Sequence, residues 1–176
     1  DYLAKIRFNL GACLYRSNKA KEAVPEFSSA IRLRKGNYQR AYYALGMAES
    51  EQKNWANARR AFLDAIKLNK ADGEAWFDLA FVYLAEKDFE HAEQAFQKSI
   101  VYNSVDSALG HNNVGVILAM KGDFAAAVKE FENALNFSQG RLIEARNNIE
   151  FCKALSSNRP ELVAKMKFSN KKVRPI

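Results

Sequence analysis

Residues 73–106 read GEAWFDLAFVYLAEKDFEHAEQAFQKSIVYNSVD, two helix-length pieces separated by the turn-like Glu86-Lys87-Asp88. Apolar residues recur at helical spacing in each piece: Trp76, Leu79, Ala80 and Tyr83, then Ala92 and Phe96, with the small Ser99 completing the second. Offsets of three and four residues place them on one face of an amphipathic helix, which alternation in a strand would not do. The template fits again three more times when shifted by 34 or 35 residues. The chain is an array, and periodicity outranks its length of 176 residues in counting modules.

Superposing the copies on Gly11, Gly46, Ala80 and Gly115 aligns four columns. One holds Leu10, Leu45, Leu79 and Val114, and a second holds Ala23, Ala58, Ala92 and Ala127. The third is Phe27, Phe62, Phe96 and Phe131; the fourth is Ala30, Ala65, Ser99 and Ala134. Each copy therefore predicts two antiparallel helices, A and B. The Gly/Ala column lets backbones approach, and the Phe column is expected to fill the space between repeats. Asn54, Asp88 and Asp123 stand as N-caps before each helix B, and Asn37, Asp72 and Asp106 sit similarly before helix A. Pro25 lies inside the first helix B, where a missing N–H predicts a kink or a late start.

These columns resemble the tetratricopeptide repeat (TPR), a helix-turn-helix unit of 34 residues with a W-x2-L-G-x2-Y…A-x3-F…P signature. The resemblance covers residues 4–141. Departures are specific: the signature tryptophan survives only as Trp76, with Arg7, Tyr42 and His111 elsewhere. Glu49 stands in a normally bulky column, and Lys35, Lys70, Ser104 and Gln139 replace the terminal proline. The resemblance implies an all-α, right-handed superhelix (an α-solenoid) with repeats at about 4–37, 39–72, 73–106 and 108–141. Residues 142–157 read as one amphipathic capping helix, with Leu142, Ala145, Ile149, Cys152 and Leu155 on its apolar face. Arrays need such an element to cover the last apolar surface. Residues 158–176 form a basic tail with room for a short helix over 161–168.

Charge is distributed unevenly. The formal net charge of +7 conceals a basic start, since residues 4–37 hold eight Lys/Arg against Glu22 and Glu26. Residues 142–176 carry eight basic against three acidic side chains, whereas residues 73–106 carry two against seven. Hydrophobic residues at 48% support a real core, and no apolar run approaches the roughly 18 residues of a membrane span. Cys13 and Cys152 are several helices apart, too far for a disulfide, and both are expected as free thiols on apolar faces. Free thiols and the lack of a visible leader fit a cytoplasmic location. The chain begins Asp1-Tyr2 without methionine, which leaves room for a segment upstream.

No catalytic constellation is legible. His91 and His111 lie in different repeats, the first expected at the surface and the second packed in an aromatic column. No Cys/His cluster has metal-ligand spacing and no phosphate loop occurs, so no enzyme activity, cofactor or metal is expected.

The resemblance implies instead that the A helices line a concave groove. Its columns run Lys5, Arg40, Glu74, Leu109; Phe8, Tyr43, Phe77, Asn112; Asn9, Ala44, Asp78, Asn113, then Asn147 in the cap; and Ala12, Met47, Phe81, Val116. A side-chain amide offers both donor and acceptor, so one per repeat can hold an extended peptide backbone of any sequence. Asn9, Asn113 and Asn147 would form that ladder, with Asp78 as a variant, or else satisfy neighbouring helix carbonyls. Phe8, Tyr43 and Phe77 either pack between helices or floor the groove. Glu74 and Asp78 predict a partner with a basic residue at mid-groove. TPR co-chaperones that grip a C-terminal carboxylate use Lys, Asn and Arg where this chain has Phe8, Ala12, Ala44, Glu74 and Asp78, which argues against that role.

The leading expectation is a scaffold that binds a peptide or helical segment of another protein through Asn9, Tyr43, Phe77, Asp78, Asn113 and Asn147, with Phe8, Met47, Glu74 and Phe81 alongside. Two others compete. Pentatricopeptide arrays read single-stranded RNA with similar hairpins, and the basic ends would serve phosphate contacts, although the acidic middle opposes a phosphate backbone. Self-association, with basic ends meeting an acidic middle or a tail lying in a neighbour's groove, is the third.

Overall fold

The structure, a computed structural model, describes residues 2–102, 107–155 and 165–170. Among them are nine α-helices and no strand: α1 (Tyr2–Arg16), α2 (Ala20–Leu33), α3 (Gln39–Glu51), α4 (Trp55–Leu68), α5 (Gly73–Ala85), α6 (Phe89–Tyr102), α7 (Ser107–Met120), α8 (Phe124–Phe137) and α9 (Ile143–Leu155). They form two compact units, one holding α1–α5 and the other α6–α9 with residues 165–170.

Within each unit, consecutive helices pack on one another, α1 through α5 in the first and α6 through α9 in the second. The glycine and phenylalanine columns explain the closest approaches. A Cβ placed on Gly11 would meet the Phe27 ring at 2.7 Å, one on Gly46 the Phe62 ring at 2.7 Å, and one on Gly115 the Phe131 ring at 2.6 Å. Only hydrogen fits there. The three rings are essentially fully buried, each burial contributing roughly 1.5–3 kcal/mol. Each ring lies on the glycine of its own hairpin and shares a core cluster with the first helix of the next repeat, Phe27 with Ala41 and Ala44, Phe62 with Ala75 and Leu79, and Phe131 with Ala145 and Ile149.

The A-to-B turns share one device. Asn18, Lys53, Lys87 and Gly122 all take positive φ at equivalent positions. Around each, the next residue's N–H bonds a carbonyl five residues back: Lys19 to Leu14, Asn54 to Glu49, Asp88 to Tyr83 and Asp123 to Leu118, at 2.8–3.0 Å. These are Schellman caps, and they satisfy helix-end carbonyls that would otherwise lack donors. Placing Lys or Asn in the left-handed region costs about 1–2 kcal/mol, which the satisfied carbonyls offset.

The N-caps hold in part. Asp72 accepts from Ala75 N and Asp123 from Ala126 N, each at 3.0 Å. Asn54 makes no capping bond; its side chain donates to the buried Glu49 at 2.8 Å, which gives that carboxylate a partner inside a normally apolar column. Tyr38, not Asn37, precedes α3, and Asp106 lies outside the described residues. Pro25 does not delay α2, which starts at Ala20, in register with α4, α6 and α8. The proline has no N–H to offer the Lys21 carbonyl, so that intrahelical bond is missing.

The tryptophan column resolves into a repeated polar pair. Arg7 Nη1 lies 3.0 Å from Glu26 Oε2, and His111 Nδ1 lies 2.7 Å from Glu130 Oε2 at the equivalent place. His111 also stacks on Phe137, centroids 5.1 Å apart, so it is packed, while His91 is exposed. Both cysteines are free, as expected, but Cys13 is exposed on α1 and only Cys152 is buried. Burial pushes the Cys152 thiol up to about 11.

α9 buries Ala145, Ile149, Cys152 and Leu155 as the sequence indicated, and its face is joined by Met166. The short helix expected over 161–168 falls partly outside the described residues. Within it, residues 166–168 are not helical.

Candidate functional site

In the first unit, Tyr43 and Glu74 of the candidate residues cluster with Asp78. Tyr43 Oη donates to Asp78 Oδ2 at 2.6 Å from the neighbouring A helix. Burial, then Asp78, Glu74 and Asp72, push the Tyr43 hydroxyl far above the usual tyrosine range. Tyr15 is pushed up to about 12, first by burial, then by the charge and hydrogen bond of Glu51, and by Asp78. Two phenols and several carboxylates thus share one negative field, and Tyr15 and Glu51 join a cluster of which the sequence reading named only Tyr43, Glu74 and Asp78. Their proximity, Tyr15 on α1 and Glu51 at the end of α3, was visible only once the helices were packed.

The aromatic column serves mainly as packing. Phe77 is fully buried, with its ring centroid 5.4 Å from that of the half-buried Phe81. Phe8 is nearly buried against Phe27 and Tyr38, with the Arg40 guanidinium 5.4 Å over its ring. Phe8 and Phe77 therefore support the face, whereas Tyr43, Phe81 and Met47 keep part of their surface open. Asn9 is exposed, and Glu74 is half-buried.

In the second unit the asparagines have an occupant. Asn113 Nδ2 donates to the Ser169 carbonyl at 2.7 Å, and Ser169 N donates to Asn113 Oδ1 at 2.6 Å. Two residues earlier the arrangement repeats: Asn148 Nδ2 donates to the Lys167 carbonyl at 3.1 Å, and Lys167 N to Asn148 Oδ1 at 3.2 Å. Asn112 lies between them, donating to the Lys167 carbonyl and to Ser169 Oγ, each at 3.0 Å, and accepting from Asn148 at 2.9 Å. All three amides are at most 1% exposed. Each would cost about 1–3 kcal/mol if buried without partners, and residues 165–170 supply those partners.

Asn148, and not Asn147, is the amide that holds Lys167; Asn147 is exposed on α9. Asn112 and Asn113 map onto Asn147 and Asn148 with a shift of 35 residues, and the sequence alignment had taken 34. The extra residue belongs to the left-handed turn at Gln139 and Gly140. The paired Asn-Asn dipeptides were the signal that would have shown it. Among the described residues, no group of three or more His, Cys, Asp or Glu side chains could hold a metal ion, and no helix is long and apolar enough to cross a membrane.

Residues 43–104 match the family model described as tetratricopeptide repeat. The chain belongs to the tetratricopeptide-repeat family. It is 30% identical over 121 residues to superkiller protein 3 of Saccharomyces cerevisiae, a match covering 68% of this chain and 8% of that protein. The chain thus spans less than a tenth of that relative's length. Among solved structures it is similar to the MamA protein, with a TM-score of 0.80 at 18% identity over 92% of this chain and 87% of the other. It is also similar to YrrB, described as a TPR protein with an unusual peptide-binding site, with a TM-score of 0.72 at 21% identity over 91% and 80%. The fold of this TPR chain is accordingly the all-α helical-repeat solenoid expected from its columns.

Proposed function

We propose that this chain is a non-enzymatic scaffold for partner proteins: the amides of the second unit read the backbone of an extended segment, and the acidic cluster of the first unit selects a basic side chain. The observation that carries the reading is the bracket of Asn113 on both the N–H and the carbonyl of Ser169. An amide paired in this way takes any residue's backbone, which is the chemistry a peptide-binding array needs. YrrB, a structural neighbour, is described as having a peptide-binding site. In the first unit, Asp78, Glu74 and Glu51 supply the field that would select Lys or Arg in the ligand. The same field opposes the RNA alternative, because phosphates would meet carboxylates.

Selection of random displayed peptides on the full chain tests the reading. Enriched binders should carry Lys or Arg, and enrichment of acidic sequences contradicts it. A self-association reading is favoured by one observation: Leu3, Ile6 and Leu10 form an exposed stripe along α1. Light scattering over a concentration series decides that reading, since a constant monomer mass removes it.

A further inference from the structure

The segment that fills the asparagine site belongs to the chain itself, and its side chains are sorted by position. Met166 is buried in the same apolar cluster as Ile149, Cys152 and Leu155, with Phe168 packed against that cluster. Ser169 is buried, and its hydroxyl accepts from Asn112. Lys165, Lys167 and Asn170 are exposed. The site therefore demands an apolar residue, leaves the next position free, accepts a second apolar residue, and then requires one small and hydroxylated. A larger side chain at the Ser169 position would have to displace Asn112 or Asn113, both wholly enclosed.

No helix continues through residues 166–170, so the segment is held by α7, α9 and their asparagines and not by its own hydrogen bonding. A peptide with the same pattern makes the same bonds and fills the same apolar space. We propose that residues 165–170 are a ligand in cis that keeps this site closed, and that its ligand in trans is an extended peptide with the pattern apolar–any–apolar–serine, which binds by taking the tail's place. The proposal rests on the peptide-binding reading above and adds the identity of the peptide and the competition that regulates its access.

The test uses the full chain and a fluorescent, end-blocked peptide of sequence KMKFSN, with binding read by fluorescence anisotropy. Met166→Asp/Ser169→Asp unseats the tail and leaves α7 and α9 unchanged; its helical signal by circular dichroism is compared with the native chain. If that signal falls, Ser169→Asp alone takes its place. The unseated chain should bind the probe at least tenfold more tightly than the native chain. Adding Asn113→Ala should reverse the gain, and a probe with tryptophan for serine should not bind. Equal affinity for the native and unseated chains overturns the closure and leaves the peptide-binding reading standing. Binding to neither, with helicity intact, removes the proposal together with backbone reading at this site.

Discussion

Asn113 holds Ser169 by both backbone atoms, Nδ2 to the carbonyl at 2.7 Å and Oδ1 from the N–H at 2.6 Å. Asn148 holds Lys167 in the same way. Spacing by two residues along the segment thus matches spacing by one repeat along the array.

The two asparagines at the end of the array should behave differently. Asn148→Ala leaves the Lys167 N–H without its side-chain acceptor and removes a bond from Asn112, so it should cost about 1–3 kcal/mol. Asn147→Ala, on the exposed face, should fall within about 0.5 kcal/mol of the native chain. Urea denaturation of both variants checks this, and equal losses would contradict the assignment.

Gly46→Ala should be disproportionately damaging for a single methyl. Its Cβ would lie 2.7 Å from the Phe62 ring, and overpacking of this kind costs about 1–3 kcal/mol despite the better helix propensity of alanine. Pairing it with Phe62→Leu should recover part of that loss. Thermal melts of the single and double variants measure it.

Stability should fall in alkali. Tyr15 keeps its proton in the fold up to about 12, against an ordinary value of 10.0, and Cys152 up to about 11, against 9.0. The unfolded chain releases these protons earlier, so the stabilisation is complete below pH 9 and is lost as pH rises through that window. The melting midpoint should therefore drop between pH 9 and 12. Tyr15→Phe should flatten the upper part of that slope, and an unchanged slope would contradict the placement of Tyr15 beside Glu51.

Asp78→Lys should weaken a selected basic peptide by at least tenfold, about 1.4 kcal/mol. The substitution reverses the field and also removes the acceptor of Tyr43. Isothermal titration with the native and substituted chains reads the difference. Unchanged affinity would show that the ligand does not pass this cluster.

Much of the architecture was legible because each hairpin repeats the same packing problem. Gly11, Gly46 and Gly115 announce the close approach, and Phe27, Phe62 and Phe131 announce what fills it. Sequence could not show that each ring lies on the glycine of its own hairpin, since the column spacing is the same for a ring facing the next repeat. The left-handed turns at Lys53 and Lys87 were hidden for another reason. Lysine gives no sign of positive φ, which the cap imposes through its backbone bonds. The amide chemistry of Asn113 was legible, but the choice between Asn147 and Asn148 depended on one residue in the turn at Gln139 and Gly140. That Asn113 holds the chain's own Ser169 depends on tertiary contact across more than fifty positions, and no local pattern encodes it.

Amide hydrogen exchange at Ser169 and Lys167, followed by NMR on the full chain, tests the central claim most directly. The account predicts slow exchange at both N–H groups, with protection at Ser169 lost in Asn113→Ala and at Lys167 in Asn148→Ala, while Asn147→Ala leaves both unchanged. Exchange at the rates of an unstructured peptide in the native chain, or protection indifferent to all three substitutions, would contradict it.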